Sequence, residues 1–148
     1  MKTIFDKSTR DELKNRINVL NENNKAQWGK MNIYQMLKHC TLWEEMISGK
    51  KKYKWAFLGR LFGQMALKDL LKDENPLRRN VPTIPEFRIR EENGNVLLER
   101  TKWIALIEQH SDFSNHGFVH PFFGKMTKEQ IGYLVYKHTD HHLRQFNS

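Results

Sequence analysis

The four prolines of this 148-residue chain are crowded into two places, Pro76, Pro82 and Pro85 in one and Pro121 in the other. Proline lacks a backbone N–H and clashes with the preceding helical turn, so it ends helices. The long stretches left free of it can therefore run as helices, and their apolar residues recur at intervals of three and four; strand-like alternation is weak throughout. Thr9-x-x-Glu12 reads as a capping box opening a first helix near Thr9, with Leu13, Ile17 and Leu20 on one face. That helix should fade among Asn21, Asn23 and Asn24, and Trp28-Gly29-Lys30-Met31 reads as a turn. Asn32-x-x-Gln35 opens a second helix whose stripe is Ile33, Met36, Leu37, Cys40, Trp43 and Ile47, closed by Gly49 and the lysines behind it.

A further helical segment is predicted over 55–73, with Phe57, Leu58, Leu61, Phe62, Met65, Leu70 and Leu71 as its apolar residues and Gly59 and Gly63 as weak points. A long loop follows over 75–85. The next helix is expected over 88–110, with Leu98, Trp103, Leu106 and Ile107 as its apolar face, although Asn93-Gly94-Asn95 weakens its first part. After a loop over 111–126, Thr127-x-x-Gln130 opens a last helix that reaches Gln145 with Ile131, Leu134 and Val135 inward. The expected fold is all-α: one domain over residues 1–148, a four-helix bundle with an extra short helical segment between the second and third bundle helices. The apolar content, 39%, is enough for one core. No uninterrupted apolar run reaches the ~18 residues a membrane span needs, because Arg60, Gln64, Lys68 and Asp69 break the richest one. Cys40 is the only cysteine, which excludes an internal disulfide and a zinc site built from several thiolates. A lone thiol and no export signal fit the cytoplasm.

His138 and His142 stand where the apolar stripe of the last helix continues, four residues beyond Leu134 and seven beyond Val135. A buried imidazole costs free energy unless its ring nitrogens find partners. Two readings are open. The pair can be hydrogen-bonded core histidines; or, with Cβ atoms about 5–6 Å apart at this spacing, both rings can converge on one ion. His39, at the edge of the second helix's buried stripe, is the candidate third ligand, and three neutral histidines leave coordination positions open for water or substrate. Seven histidines in a chain this long supply roughly 0.3 such pairs by chance, so the spacing alone does not decide. Thr139 stands where the His-Glu-x-x-His motif has its glutamate, and no general base is evident.

Three segments, Trp28 to His39, His120 to Thr127 and Tyr136 to Phe146, together resemble the DinB-like superfamily, in a branch known mainly as a domain of unknown function. The resemblance implies a four-helix bundle, a three-histidine divalent-metal site holding nickel or zinc, and a homodimer. It places His39, His138 and His142 in the ligand roles. It also implies activities of the kind found in relatives: thiol S-transfer with a low-molecular-weight thiol as co-substrate, glutathione-dependent isomerisation, or metal-dependent hydrolysis. The segment 55–90 lies outside it.

Around this site, Gln35 and Gln145 are candidate partners for the second nitrogen of a ligand ring. Trp43 is a candidate lining residue. His141 points about 100° away from His142 and either lines the site's edge or bonds another helix. His120 either carries protons or orders its loop. Cys40 cannot face His39 from the adjacent position and reads as a buried thiol. The net charge is +8, with clusters at Lys50–Lys54 and at Arg78, Arg79, Arg88 and Arg90. These read as a solvated face, or as a field that draws an anionic small-molecule substrate. Basic residues interleaved with exposed aromatics, as nucleic-acid binding wants, are not evident. The leading expectation is a metal-dependent hydrolase or thiol S-transferase; its rival is a non-catalytic metal- or anion-binding bundle serving as sensor or scaffold.

Overall fold

Five helices carry the chain in the computed structural model, which describes residues 1–148: α1 (Lys7–Asn18), α2 (Ile33–Ile47), α3 (Phe57–Leu70), α4 (Val96–Glu108) and α5 (Lys128–Gln145). Two of the expected capping boxes form. The Asn32 side chain accepts from the Gln35 N–H while the Gln35 side chain accepts from the Asn32 N–H. Thr127 and Gln130 do the same at the start of α5. The Thr9 box does not form. Helix α1 begins at Lys7, two residues earlier, and Thr9 is buried inside it. Tertiary contacts fix the entry instead: Ile4 is fully buried with its N–H on the Gly132 carbonyl, and the Arg10 guanidinium donates to the carbonyls of Ile4 and Phe5.

Helix α4 likewise starts later than its apolar pattern suggests. Asn95 caps it by accepting from the Leu98 N–H at 2.9 Å. The residues before it are strapped along α2. Asn32 donates to the Glu92 carbonyl, Lys38 pairs with Glu91, and a Cβ on Gly94 would lie 2.1 Å from the Tyr34 ring. Leu98 faces solvent, and the buried side of α4 is Val96, Glu99, Trp103, Leu106 and Ile107. The expected loop at 111–126 contains a small antiparallel pair, β1 (Val119–His120) and β2 (Gly124–Lys125), in which His120 opposes Gly124.

Helices α1, α4, α2 and α5 contact one another in that cyclic order. Leu13 and Ile17 of α1, Met36, Leu37 and Ile47 of α2, Trp103 and Ile107 of α4, and Val135 and Leu143 of α5 are fully buried between them. Each such side chain contributes about 1.5–3 kcal/mol through removal from water. A polar pair is buried in the same core, His110 Nε2 lying 2.7 Å from Glu44 Oε2. No helix is long and apolar enough to cross a membrane.

Helix α3 stands outside this circuit and corrects an expectation. Its two glycines are the docking face: a Cβ on Gly59 or Gly63 would lie 2.3 or 2.1 Å from the Phe122 carbonyl oxygen. Gln64 Nε2 donates to the carbonyls of Phe123 and Lys125. At the other end the buried Lys137 of α5 donates to the carbonyls of Leu70 and Asp73. Only Gly59, Gly63 and Leu67 are buried, whereas Phe57, Leu58, Leu61, Phe62 and Met65 face solvent. Close backbone approach, which only glycine allows, outcompetes the apolar stripe for the inner position.

Candidate metal centre

Helices α2 and α5 bring His39, His138 and His142 together, with one ligand-capable atom of each lying within 4.8 Å of the others. His39 Nδ1 lies 3.0 Å from the Phe87 carbonyl oxygen. A carbonyl only accepts, so Nδ1 carries the proton and Nε2 keeps its lone pair. His142 Nδ1 donates to Gln145 Oε1 at 2.8 Å, and Gln145 Nε2 donates to the Trp28 carbonyl at 2.9 Å. That second bond sets the amide's orientation and leaves His142 Nε2 with its lone pair. His138 Nε2 is 3.3 Å from His39 Nε2. Two nitrogens bound to one tetrahedral ion at ~2.05 Å would be about 3.3 Å apart, so this pair already has ligand spacing.

The electrostatics suit a cation. Burial pushes the ring pKa of His138 well down, and the neighbouring His142 and His39 rings push it further. Burial does the same to His142, with Gln145 opposing it weakly. Burial lowers His39 as well, partly offset by its bond to the Phe87 carbonyl. All three rings are thus held neutral, the form a metal ligand requires. Trp43 stacks on His138 with centroids 4.0 Å apart and planes 12° apart, fixing that ring and covering one side of the cluster. The donor set, three neutral imidazoles with two Nδ1–H groups on acceptors, could hold a metal ion.

The other expected site residues divide. Gln145 holds His142, and Trp43 lines the cluster. Gln35 does not reach a ligand: its oxygen serves the α2 cap and its Nε2 donates to the Ile89 carbonyl at 3.2 Å, so it straps the 88–95 segment to α2. His141 stands at the edge, its ring centroid 5.1 Å from that of His142 and 5.6 Å from that of Trp28. It lines a cleft of about 380 Å³ with Trp28, Arg79 and Arg144, and the Arg79 guanidinium lies 4.4 Å from the Trp28 ring centroid. His120 orders its loop. Its Nδ1 accepts from the N–H groups of Phe122 and Phe123, and burial pushes its pKa down to about 3. A ring neutral throughout the physiological range does not carry protons as an acid–base shuttle. Arg78, Arg88, Arg90 and Lys50–Lys54 are exposed apart from Tyr53 within the run. A larger cleft, about 680 Å³, lies between α3 and α5, and none of the histidines lines it.

Two groups at the site left no trace in the sequence reading. Phe87 and Trp28 act through backbone carbonyls, and a carbonyl belongs to every residue type. The Pro85 turn before Phe87 and the Trp28-Gly29 turn mark only that the chain bends there, with Gly29 at φ 81°.

A family model described as a protein of unknown function (DUF1569) matches residues 5–148. No curated protein and no solved structure matches the chain.

Proposed function

We propose that this chain, which belongs to the DUF1569 family, is a divalent-metal-dependent enzyme whose ion is held by His39, His138 and His142. The observation that carries the reading is the two ring nitrogens 3.3 Å apart, both in a setting that keeps imidazole neutral, with a third ring beside them. In this reading the cyclic packing of α1, α4, α2 and α5 is a four-helix bundle of the DinB-like type, and the ion is zinc or nickel.

A divalent ion at three imidazoles leaves coordination positions open, where it would supply Lewis acidity and lower the pKa of a bound water or thiol. The chain's own residues do the rest. The Phe87 carbonyl and Gln145 hold His39 and His142 in the tautomer that points Nε2 inward. Trp43 covers the cluster on the His138 side and limits water there. The cleft at His141, with Arg79 and Arg144 on its wall, gives an anionic small molecule a place beside the cluster. No carboxylate belongs to the histidine cluster. Reactions that need only an activated water or thiolate, hydrolysis and thiol S-transfer, therefore suit it better than those needing a dedicated side-chain base.

Metal content of untagged protein, with each single His→Ala variant alongside, tests the ligand assignment. One bound divalent ion is expected in the wild type and a loss in each variant; unchanged content in all three variants would overturn it. A panel of ester and thiol substrates, assayed with and without chelator, tests the activity. Chelator-sensitive turnover is expected; metal binding without any turnover would favour the sensor or scaffold.

A further inference from the structure

We infer that the cleft walled by Trp28, Arg79, His141 and Arg144 is an oxyanion-recognition site, and that it takes the carboxylate or phosphate end of a small molecule whose reactive end lies at the metal centre. The second half rests on the metal-dependent reading; the first does not. Every charged side chain on the wall of this cleft is basic: two guanidinium groups and no carboxylate line it, together with the His141 imidazole and the amides of Gln27 and Asn147. Arg79 pairs with no carboxylate and makes no hydrogen bond within the chain; the Trp28 ring, 4.4 Å from its guanidinium, is what holds it. Arg144 is anchored by its Nε alone, which donates to Asp140 Oδ2 at 2.6 Å, and Asp140 is shared with Arg16 through its other oxygen. The terminal nitrogens of both arginines are therefore free to donate. A guanidinium fork held flat on a ring or by its Nε matches the paired oxygens of a carboxylate or phosphate, and loses little freedom on binding one.

The plate on which Arg79 rests is fixed in place. The Gln27 N–H donates to the Gln145 carbonyl at 2.8 Å, and Gln145 Nε2 donates to the Trp28 carbonyl at 2.9 Å. Gly29, at φ 81°, permits this approach, since a Cβ there would lie 2.8 Å from Gln145 Nε2. The amide that orients His142 thus also holds one wall of the cleft. Size and distance narrow the ligand. A cleft of about 380 Å³ is at the small end for ligand sites and takes about a dozen non-hydrogen atoms, which suits a small molecule and not a folded partner. The His141 ring lies between the two sites, its centroid 5.6 Å from that of Trp28 and 5.1 Å from that of His142. The charged end and the reacting end are therefore on the order of 10 Å apart, the reach of a chain of about eight bonds. If Arg79 served only to pin the 75–85 segment onto Trp28, the cleft would bind no anion.

Titration of metal-free protein with phosphate and with acetate at constant ionic strength, followed at the Trp28 indole N–H by nuclear magnetic resonance, tests the first half. A saturable shift is expected that chloride does not produce, and the tighter of the two anions names the group. Arg79→Ala, at an exposed position, is expected to weaken that binding about tenfold or more. Zinc-loaded protein tests the second half with hydroxamates, which grip the ion. Acetohydroxamate reports the ion alone, and a series of chains ending in a carboxylate reports the cleft as well. Affinity is expected to peak near a spacer of about eight bonds, about tenfold or more above the neutral amide of the same length, and to lose that gain in Arg79→Ala. Binding of neither anion, or equal binding to Arg79→Ala, overturns the oxyanion site. A carboxylate that brings no gain at any length overturns its place in the substrate. Failure of acetohydroxamate to bind is failure of the metal reading and removes the second half with it, while the titration of metal-free protein still decides the first.

Discussion

Replacing Gln145 by Leu removes the acceptor of a proton that has no other visible place to go. His142 and Gln145 are both buried, at 7% and 4% exposure, and their bond is 2.8 Å long. Leucine nearly matches glutamine in volume, so repacking costs little, under about 1.5 kcal/mol. The orphaned Nδ1–H is the main term, at about 1–3 kcal/mol. Loss of a partner behind a metal-ligating histidine weakens metal binding by about 10–100-fold, or ~1.4–2.7 kcal/mol. Competition for zinc against a chromogenic chelator measures it. Gln145→Glu supplies the contrast: the carboxylate still accepts from His142 but cannot donate to the Trp28 carbonyl. Its zinc affinity should stay within a few-fold of the wild type while the metal-free protein melts lower. A Gln145→Leu protein that binds zinc as tightly as the wild type would refute the claim that this amide sets the ring.

Other perturbations separate the site from its scaffold. The folded His120 ring has its pKa lowered from 6.5 to about 3, so it contributes nothing to the pH dependence of stability above pH 6.5. Below that the unfolded ring takes a proton the folded ring refuses; at pH 5 this one group costs about 2 kcal/mol. Urea unfolding of metal-free protein should show His120→Asn with a slope smaller by about 1.4 kcal/mol per pH unit between pH 6 and 4; equal slopes would count against the buried neutral ring. Glu44→Ala strands the His110 Nε2 in the core and should cost on the order of 3 kcal/mol, or about 10 °C in thermal melting. A drop of only a degree or two would mean the pair is dispensable. Gly63→Ala places a methyl 2.1 Å from the Phe122 carbonyl oxygen and should undock α3. Limited proteolysis then cuts faster within 50–75, with zinc affinity unchanged; an unaltered digestion rate would argue that the helix docks by other contacts.

Much of this was legible because local physics and tertiary structure agree. Asn32 with Gln35 and Thr127 with Gln130 cap their helices, since each box satisfies exposed N–H groups within four residues. The core stripes of α2 and α5 follow their periodicity, and of the two histidines that continue the α5 stripe His142 is buried and His138 half-buried beside His39. Disagreement came where a long-range contact was stronger than the local signal. Thr9 lost its cap to the burial of Ile4 and the reach of Arg10. The start of α4 moved from 88 to Val96 because the segment before it is held against Tyr34 and Asn32. Gln35, a candidate partner for a ligand ring by position, was already committed to its helix cap.

Sequence alone determined which residues could be helical, which side of each helix is apolar, and that three imidazoles were available on inward positions of two helices. Those properties are short-ranged: capping spans four residues, and a stripe repeats every seven. The distance between His39 and His138, the backbone carbonyls that orient the ligand rings, and the turning outward of the apolar face of α3 were decided only by the tertiary structure. Each depends on segments dozens of residues apart meeting at van der Waals range. For α3 the deciding quantity was the absence of a side chain: two glycines let a carbonyl approach where any Cβ would collide, and the larger apolar residues were left facing out.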